Sequence, residues 1–300
     1  KIFILFPLNR VSEVQRKQMT TVKKKNVFNI AVKGNFDDCQ RMVKNYFKLN
    51  NENKKINLAA VNSINWVRIM GQIVYYFWSY FRVSSKFDPM SFVVPSGNFG
   101  NAYAGYISKK MGLPINKIII SSNKNDILTR FFKTGRMEIK KTLTSLSPSM
   151  DIQVSSNFER LLFDFYENGE VIKKLFYKLE NKKEFFVAET HLKKMRKTFG
   201  YGKLSDSETK KTISQIYNKY KLIIDPHTAV GVSVGDKELN NREKRIYMAT
   251  AHFSKFIKTV KESVKKKVDY PVKLEKILEK KEKFKIIEND LDQLKKLIIN

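Results

Sequence analysis

The sequence predicts an α/β fold in which a largely parallel sheet is covered by helices on both faces. Short apolar runs that are typical of strands alternate with longer amphipathic stretches along most of the chain. Such alternation is characteristic of parallel sheets joined by helical crossovers. A length of 300 residues, of which 42% are hydrophobic, suffices for a substantial buried core. The composition therefore indicates a folded protein and excludes a disordered one.

Residues 1–83 are predicted to form a smaller α/β domain. Its predicted strands are Lys1–Pro7, Asn26–Val32 and Leu58–Val61, and its first two helices follow the N-cap residue Ser12 and the glycine Gly34. The long hydrophobic stretch Ile64–Phe81 is interrupted by Arg68 and Gln72. These polar groups favour a buried helix with two polar side chains on one face over a membrane span.

Residues 84–300 are predicted to form a larger α/β domain with a helical, charged tail from about Val272. The boundary is expected in the loop Val83–Pro89, which is rich in serine and aspartate. The elements predicted for this domain are the strands Phe92–Val94, Lys117–Ser122, Leu222–Ile224 and Ile246–Thr250, and helices at Asn101–Met111, Asp126–Phe132, Ser205–Tyr220, Lys255–Val264 and after Asp225. Residues 137–203 show a less regular pattern.

The formal charge of +29 raises the question of a nucleic-acid partner. Lysine far outnumbers arginine, and lysine, asparagine and isoleucine are abundant together along the whole chain. Proteins that read nucleic-acid sequence favour arginine, which contacts guanine through two hydrogen bonds. We therefore attribute the charge to the drift of an AT-rich genome and expect no specific nucleic-acid partner.

Other classes of site and location are also restricted by the sequence. The single Cys39 excludes a disulfide framework and a thiolate zinc site, and three scattered histidines do not predict a metal site. The opening KIFILFPLNR lacks the pattern of a signal peptide, and we expect a cytoplasmic protein. Because the chain opens directly on strand-like residues without Met, we expect a fragment or a decayed gene product.

The segment FVVPSGNFGNAYAG, residues 92–105, carries the clearest chemical signal. An apolar strand leads into a loop with Gly97 and Gly100, and a helix follows at once. Backbone N–H groups at such a helix start bind phosphate, and glycines allow the close approach. The loop contains no lysine, and its spacing is not that of a nucleotide-binding motif. The alternative is a tight turn whose glycines serve only packing.

A polar cluster precedes the long apolar helix. It consists of Asn62, Ser63, Asn65 and Arg68. Hydroxyl and amide groups at a helix N-terminus, with an arginine one turn further, suit a second anion. The alternative is simple N-capping by Asn62 or Ser63, with Arg68 in solvent.

Several segments in the same order resemble the threonine synthases of bacteria and fungi. They are KGNFDDCQ, VNSINWVRIMGQIVYYF, SGNFGN, SSNKNDILTRFFKTG, LSPSMDIQVSSNFERL, DPHTAVG and MATAHFSKF. The resemblance implies a pyridoxal-phosphate (PLP) enzyme of fold type II, similar to the tryptophan synthase β subunit, with two open, mostly parallel twisted sheets flanked by helices. It also implies the last step of threonine biosynthesis, a lyase reaction that converts O-phosphohomoserine and water into threonine and phosphate.

The resemblance also implies roles for particular residues. The set expected to hold the cofactor is Gly97, Asn98, Phe99, Gly100, Asn101 and Thr250. The Thr250 hydroxyl is expected to face the pyridine nitrogen and to tune the ring as an electron sink. The polar cluster around Asn62 is expected to bind the substrate. His227 and His252 receive no role.

No catalytic residue is assigned, because the family's cofactor lysine belongs to a segment upstream of the matched residues. None of the lysines here matches the motif around it, so we expect the chain alone to be inactive. The expected partner is the small-molecule substrate. We expect the protein to be a monomer or a homodimer and not to associate with a membrane. Two alternatives stay open: another fold type II enzyme, similar to serine or threonine dehydratase, and a non-enzymatic, basic polyanion-binding remnant.

Overall fold

The computed structural model of the chain describes residues 1–53, 56–62 and 65–299. The strands are β1 (Ile2–Pro7), β2 (Val27–Val32), β3 (Met90–Pro95), β4 (Ile115–Ser122), β5 (Arg136–Glu138), β6 (Glu184–Phe186), β7 (Phe199–Lys203), β8 (Arg245–Tyr247) and β9 (Lys285–Ile287). The helices are α1 (Glu13–Thr20), α2 (Phe36–Asn53), α3 (Trp66–Val83), α4 (Gly100–Lys110), α5 (Ile127–Thr134), α6 (Phe158–Tyr166), α7 (Gly169–Lys182), α8 (Glu189–Thr198), α9 (Asp206–Tyr220), α10 (Pro226–Glu238), α11 (Ile257–Val264), α12 (Val272–Leu278) and α13 (Leu291–Ile299). Short 3-10 turns lie at Pro148–Met150 and Phe253–Phe256.

The chain divides into two compact units whose limits differ from the predicted domains. One unit combines Lys1–Ala59 with His252–Asn300, and the other is Ala60–Ala251. The tail joins the first unit because β9 pairs in parallel with β2. The helix α3, which was predicted in the small domain, lies in the second unit. There its Tyr76 packs directly against Gly105 of α4.

The first unit contains a three-stranded parallel sheet of order β1-β2-β9. Its core comprises Ile30, Val32, Cys39, Met42, Ile287 and Leu294. Burial raises the pKa of the Cys39 thiol to about 12, so this side chain packs as a neutral group. The predicted N-cap is confirmed, because Ser12 forms a reciprocal capping box with Gln15 at the start of α1.

The second unit is built on a four-stranded parallel sheet of order β7-β4-β3-β8. The central strand β3 is buried along its whole length and pairs in parallel with β4 and with β8. A strand that is buried on both faces has apolar residues at successive positions, which explains the continuous apolar run in the sequence. Strands β5 and β6 form a separate antiparallel pair. The predicted α/β class with mostly parallel sheets and flanking helices is therefore confirmed.

Three predicted strands need correction. Residues 58–61 and 222–224 are not strands, and the strand predicted to end at Thr250 ends at Tyr247. Val61 is 80% exposed and Leu222 is 57% exposed, so these short apolar runs have no sheet neighbour to cover them. The less regular region 137–203 also contains more structure than predicted, from β5 to β7.

The long apolar helix is only half-buried. Ile69, Ile73, Tyr76 and Tyr80 of α3 are buried, whereas the opposite face is exposed. The prediction of a buried helix therefore holds for one face. In the part of the chain that the structure describes, no helix is both long and apolar enough to cross a membrane.

Candidate functional site

A cavity of about 610 Å³ lies in the second unit where β3 and β8 end. The carboxyl ends of parallel strands meet at one edge of a sheet, which is where ligands of open α/β folds bind. The residues that line it are Gln72, Tyr75, Trp78, Ser79, Pro95, Ser96, Gly97, Asn98, Phe99, Gly100, Asn101, Ser149, Ile246, Tyr247, Met248, Ala249 and Thr250. The structure thus brings together the whole predicted cofactor set.

The loop from Ser96 to Asn101 presents backbone donors at the start of α4. The backbone N–H groups of Gly97 through Asn101 donate to no acceptor among the described residues. Phe99 adopts a left-handed conformation with φ of 62°, and α4 begins at the next residue. Successive N–H groups in such a turn form a concave anion site, and the helix dipole adds positive potential. The loop is therefore suited to a phosphate.

Two hydrogen-bonded carbonyl groups fix the shape of this loop. The Ser155 hydroxyl donates to the carbonyl oxygen of Gly97 at 2.8 Å. The Asn157 backbone N–H and side-chain amide donate to the carbonyl oxygen of Asn98 at 3.1 and 3.0 Å. Because these bonds hold the peptide planes, they also preset the direction of the N–H groups that the ligand would use.

The side chain of Phe99 anchors the loop in the core. Its ring is 1% exposed and packs edge-on against Phe158 with centroids 5.0 Å apart, and it contacts Phe199 at 5.8 Å. A left-handed conformation costs a residue with a side chain about 1 kcal/mol or more. Burial of a large aromatic ring offsets that cost. The geometry thus favours a structural role for the Phe99 ring and a ligand role for its backbone.

Gly97 is required by close packing. A Cβ atom at this position would lie 3.0 Å from the carbonyl oxygen of Ser149 and 3.2 Å from the Cα of Met150. Both belong to the 3-10 turn that follows Ser147. The loop and the turn therefore approach each other more closely than a side chain at position 97 would allow.

A buried polar network holds that 3-10 turn in place. The Asp151 carboxylate accepts hydrogen bonds from the side chains of Asn123 (2.8 Å) and Asn125 (2.9 Å) and from the backbone N–H of Ser145 (2.8 Å). Burial raises the pKa of Asp151, although the hydrogen bonds from Ser145 and Asn123 act in the opposite direction. Such a network rigidifies its surroundings because every member is satisfied.

Two side-chain oxygens at the cavity lack a partner within the described chain. They are Oδ1 of Asn98 and Oε1 of Gln72, and both are buried. A buried acceptor without a partner is costly, so its presence in a cavity wall indicates a place for a ligand. Gln72 was not predicted as a site residue. Its position in the sequence could have identified it, because Gln72 follows Arg68 by one helical turn on the polar side of an apolar helix.

Asn101 is oriented by Tyr76. The Tyr76 hydroxyl donates to the backbone oxygen of Asn101 at 2.8 Å and lies 3.0 Å from its Oδ1. Burial raises the pKa of Tyr76, so its hydroxyl is a constant donor. Because Oδ1 is held by Tyr76, the amide nitrogen of Asn101 is the group available to a ligand.

The predicted substrate cluster lies at the start of α3. Asn65 caps this helix, since its Oδ1 accepts from the N–H of Val67 at 3.0 Å. Asn62 and Arg68 are exposed, and Ser63 lies outside the described residues. The N-cap of α3 is therefore Asn65, whereas the capping alternative named Asn62 or Ser63. None of the three described members lines the cavity, so their role in substrate binding stays a prediction.

Thr250 lines the cavity from a loop, not from a strand. The loop starts where the N–H of Met248 donates to the carbonyl oxygen of Val93 at 3.0 Å. Thr250 itself is exposed. His227, by contrast, is buried next to the α10 N-cap Asp225, with Nδ1 2.9 Å from Oδ1, and does not line the cavity.

The described residues that line the cavity carry no formal charge. None of its lining residues is a lysine, an arginine, a histidine or an acid. Its affinity for anions would therefore come from N–H groups, the helix dipole and neutral side chains. Within residues 1–53, 56–62 and 65–299, no group of three or more His, Cys, Asp or Glu side chains is arranged to hold a metal ion.

Comparison with known proteins identifies relatives of this chain. A family model described as "Threonine synthase, C-terminal" matches residues 228–298. The threonine synthases of Eremothecium gossypii and Pseudomonas aeruginosa are each 41% identical over 99% of this chain, which covers 63% and 64% of their lengths. The chain therefore spans less than two thirds of these relatives.

Solved structures give the same result. A PLP-bound threonine synthase from Brucella melitensis is 40% identical and has a TM-score of 0.87, over 99% of this chain and 64% of that one. The threonine synthase from yeast is also 40% identical, with a TM-score of 0.83 over 100% of this chain and 64% of that one.

Proposed function

Because the chain belongs to the threonine synthase family, we propose that it supplies the cofactor-phosphate site of a PLP-dependent threonine synthase. The activity is the conversion of O-phosphohomoserine and water into threonine and inorganic phosphate. The observation that carries this proposal is the run of N–H groups from Gly97 to Asn101 that opens α4 at the cavity. Backbone donors at a helix N-terminus are a common means of binding a cofactor phosphate.

The residues around the cavity fit this cofactor. The volume of about 610 Å³ is in the usual range for sites that bind small molecules. The buried Oδ1 of Asn98 and Oε1 of Gln72 have no partner among the described residues, and a bound ligand could satisfy them. The backbone at Ser149 packs so closely against Gly97 that position 97 has no room for a side chain.

Each part of the site has a role in the proposed reaction. The N–H groups from Gly97 to Asn101 bind the phosphate and thereby fix the position of the ring. The Thr250 hydroxyl is proposed to face the pyridine nitrogen, where a neutral group leaves that nitrogen unprotonated. PLP, when bound, supplies an electron sink for the carbon next to the substrate amino group.

The substrate is proposed to bind at the start of α3. Asn62, Ser63, Asn65 and Arg68 would recognise its phosphate or carboxylate group, because the first turn of a helix and an arginine together attract anions. Gln72 follows Arg68 by one turn and does line the cavity. This arrangement supports a path from the polar cluster into the cavity along α3.

We further propose that residues 1–300 alone do not turn over the substrate. This chemistry needs a lysine that binds the cofactor covalently and then moves a proton at the substrate α-carbon. Among the described residues that line the cavity, none is a lysine. We also propose that the protein is cytoplasmic, that it is a monomer or a homodimer, and that it has no specific nucleic-acid partner.

The proposal is tested by the binding of pyridoxamine 5′-phosphate. This probe carries the cofactor phosphate and ring but no aldehyde, so it does not react with surface lysines. Because Trp78 lines the cavity, bound probe should quench the intrinsic fluorescence. We expect Gly97→Ala to weaken binding at least tenfold, because the added Cβ would lie 3.0 Å from the Ser149 carbonyl.

The matched control is Gly169→Ala, where a Cβ would meet nothing within 4 Å. It should leave probe binding unchanged, and inorganic phosphate should compete with the probe. Equal binding by both variants, or binding that phosphate does not displace, would contradict the proposed phosphate site.

A further inference from the structure

Arg160, on α6, contacts both the segment that holds the glycine-containing loop and the first residue of α3. Its Nε donates a hydrogen bond to Oδ1 of Asn157 at 3.1 Å. Its guanidinium carbon lies 5.8 Å from the centre of the Trp66 ring, which is within the range of a cation–π interaction. Arg160 is not among the residues that line the cavity. An effect of Arg160 on a ligand there would therefore pass through its neighbours.

The side-chain amide of Asn157 connects Arg160 to the loop. Asn157 is fully buried. Because its Oδ1 accepts from Arg160, its Nδ2 is directed to the carbonyl oxygen of Asn98, to which it donates at 3.0 Å. An amide group that is turned over would instead place an oxygen against that carbonyl. Arg160 thus selects the orientation in which Asn157 holds the Asn98 peptide.

The peptide held by Asn157 contains the N–H of Phe99. This N–H is in the middle of the run from Gly97 to Asn101, whose N–H groups donate to no acceptor among the described residues. The backbone N–H of Asn157 also donates to the Asn98 carbonyl, at 3.1 Å. Two donors restrain the plane of this peptide more than the one that would remain. Loss of the side-chain bond should therefore redirect the Phe99 N–H without unfolding the loop.

The guanidinium group of Arg160 is held by an aromatic pair. Trp66 is the first residue of α3, directly after the N-cap Asn65. Its ring packs edge-on near the ring of Tyr103, with centroids 6.0 Å apart. The Tyr103 hydroxyl in turn donates to the Asp164 carboxylate at 3.1 Å. The ring that contacts Arg160 is therefore itself positioned by residues of α4 and α6.

Resting on the proposed function, we propose that Arg160 is a positioning residue for the cofactor phosphate. The hydrogen bond from Arg160 orients the side-chain amide of Asn157, and this amide holds the peptide that contains the Phe99 N–H. Trp66 keeps the guanidinium group in place through its ring. A residue at the start of α3 thereby acts on the phosphate site without lining the cavity.

The alternative is that Arg160 serves only the stability of α6. The two roles differ in their effect on the phosphate of a bound ligand. A stabilising contact alone would change the unfolding curve and leave the phosphate surroundings as they are. A positioning residue would change those surroundings even in a protein that is fully folded.

The test compares binding of pyridoxamine 5′-phosphate by the original chain and by Arg160→Met, which keeps the length of the side chain but removes its charge and its donors. We expect Arg160→Met to weaken binding about fivefold, as for the loss of one hydrogen bond. The ³¹P resonance of the bound probe should shift relative to that in the original chain, because the Phe99 N–H no longer points at the phosphate. Urea unfolding verifies that the variant is folded.

A second variant, Trp66→Leu, keeps the test independent of any change in α6. Trp66 is 39% exposed, so the variant should fold. It leaves Trp78 as the only tryptophan, and Trp78 lines the cavity and reports binding. We expect Trp66→Leu to weaken probe binding about twofold, since the guanidinium group loses its cation–π contact. The double variant should bind no more weakly than Arg160→Met alone, because both residues act through the same hydrogen bond.

The matched control is Arg136→Met on β5. Arg136 also lies over an aromatic ring, that of Phe186 at 5.5 Å, and donates a hydrogen bond from Nε to Glu184 at 2.7 Å. It contacts neither the loop nor α3 through these groups, so its replacement should leave the affinity and the ³¹P resonance unchanged.

The possible results separate this inference from the proposed function. If the original chain binds the probe and Gly97→Ala weakens binding, but Arg160→Met changes neither the affinity nor the ³¹P resonance, the inference alone is overturned. The same holds if Arg136→Met has an effect equal to that of Arg160→Met, or if the effects of Trp66→Leu and Arg160→Met add fully. If the original chain does not bind the probe, the proposed function fails and this inference fails with it.

Discussion

The Ser155 hydroxyl lies 2.8 Å from the carbonyl oxygen of Gly97 and donates a hydrogen bond to it. This bond joins the segment before α6 to the glycine-containing loop at the cavity. The peptide whose carbonyl Ser155 holds also contains the N–H of Asn98. The direction of this N–H, which is proposed to bind the phosphate, is therefore set by a residue that is far from it in sequence.

Replacement of Ser155 by alanine should weaken binding of pyridoxamine 5′-phosphate about five- to tenfold. A hydrogen bond of this kind contributes about 1 kcal/mol, and its loss would let the peptide rotate away from the phosphate. Fluorescence titration measures the change. The control is Thr134→Ala, which also removes a 2.8 Å bond from a hydroxyl to a backbone oxygen, but on α5. Equal effects of the two changes would contradict the role of Ser155.

Glycine 105 and glycine 71 should respond oppositely to replacement by alanine. Alanine in a helix is favoured over glycine by about 1 kcal/mol when there is space for it. At Gly71 nothing lies within 4 Å of a new Cβ, so Gly71→Ala should stabilise the fold. At Gly105 the new Cβ would lie 2.6 Å from the Tyr76 ring, so Gly105→Ala should destabilise it by about 1–3 kcal/mol.

Urea unfolding of the two variants measures both effects. Gly105→Ala should also weaken probe binding, because a displaced Tyr76 would release Asn101. A Gly105→Ala protein as stable as the original chain would show that α3 and α4 are packed less closely than described.

Some parts of the site could be predicted from sequence because they depend on local pattern. The loop from Gly97 to Asn101 follows an apolar strand and opens a helix, and each feature is visible in neighbouring residues. The discontinuous unit was missed because β9 is a three-residue strand in a charged tail, and only its pairing with β2 reveals its place. Gln72 was missed because an unsatisfied oxygen depends on surroundings that come from distant segments.

The ion pair between Glu208 and Lys237 should make stability depend on pH in the acid range. The hydrogen bond from Lys237, at 2.8 Å, and those within the Ser205 capping box lower the pKa of Glu208 from 4.5 to about 2. The ionised carboxylate therefore favours the folded state. Its contribution is present above pH 4.5 and is lost as the pH falls towards 2.

Glu208→Gln should accordingly reduce the free energy of unfolding at neutral pH, by no more than about 1 kcal/mol because the pair is exposed. The amide can still accept the capping bond, so the change isolates the charge. The difference between the two proteins should shrink as the pH falls from 4.5. Glu189→Gln, which removes a longer 3.5 Å pair with Arg196, is the control. A difference that grows in acid would contradict the assignment.

Gln72→Leu should separate ligand binding from stability. The Oε1 of Gln72 is buried without a partner among the described residues, so an apolar side chain of similar size should leave the unliganded fold equally stable or more stable. Binding of pyridoxamine 5′-phosphate or of O-phosphohomoserine should weaken about five- to tenfold, as expected for the loss of about 1–1.5 kcal/mol.

Ser79→Ala is the matched control on the same helix and cavity wall. The Ser79 hydroxyl already donates to the carbonyl oxygen of Tyr75 at 2.6 Å, so its removal should not affect either ligand. If Gln72→Leu destabilises the chain and leaves both ligands bound as before, the amide serves the fold and not the site. If it stabilises the chain and weakens one ligand only, that ligand is the one that satisfies Gln72.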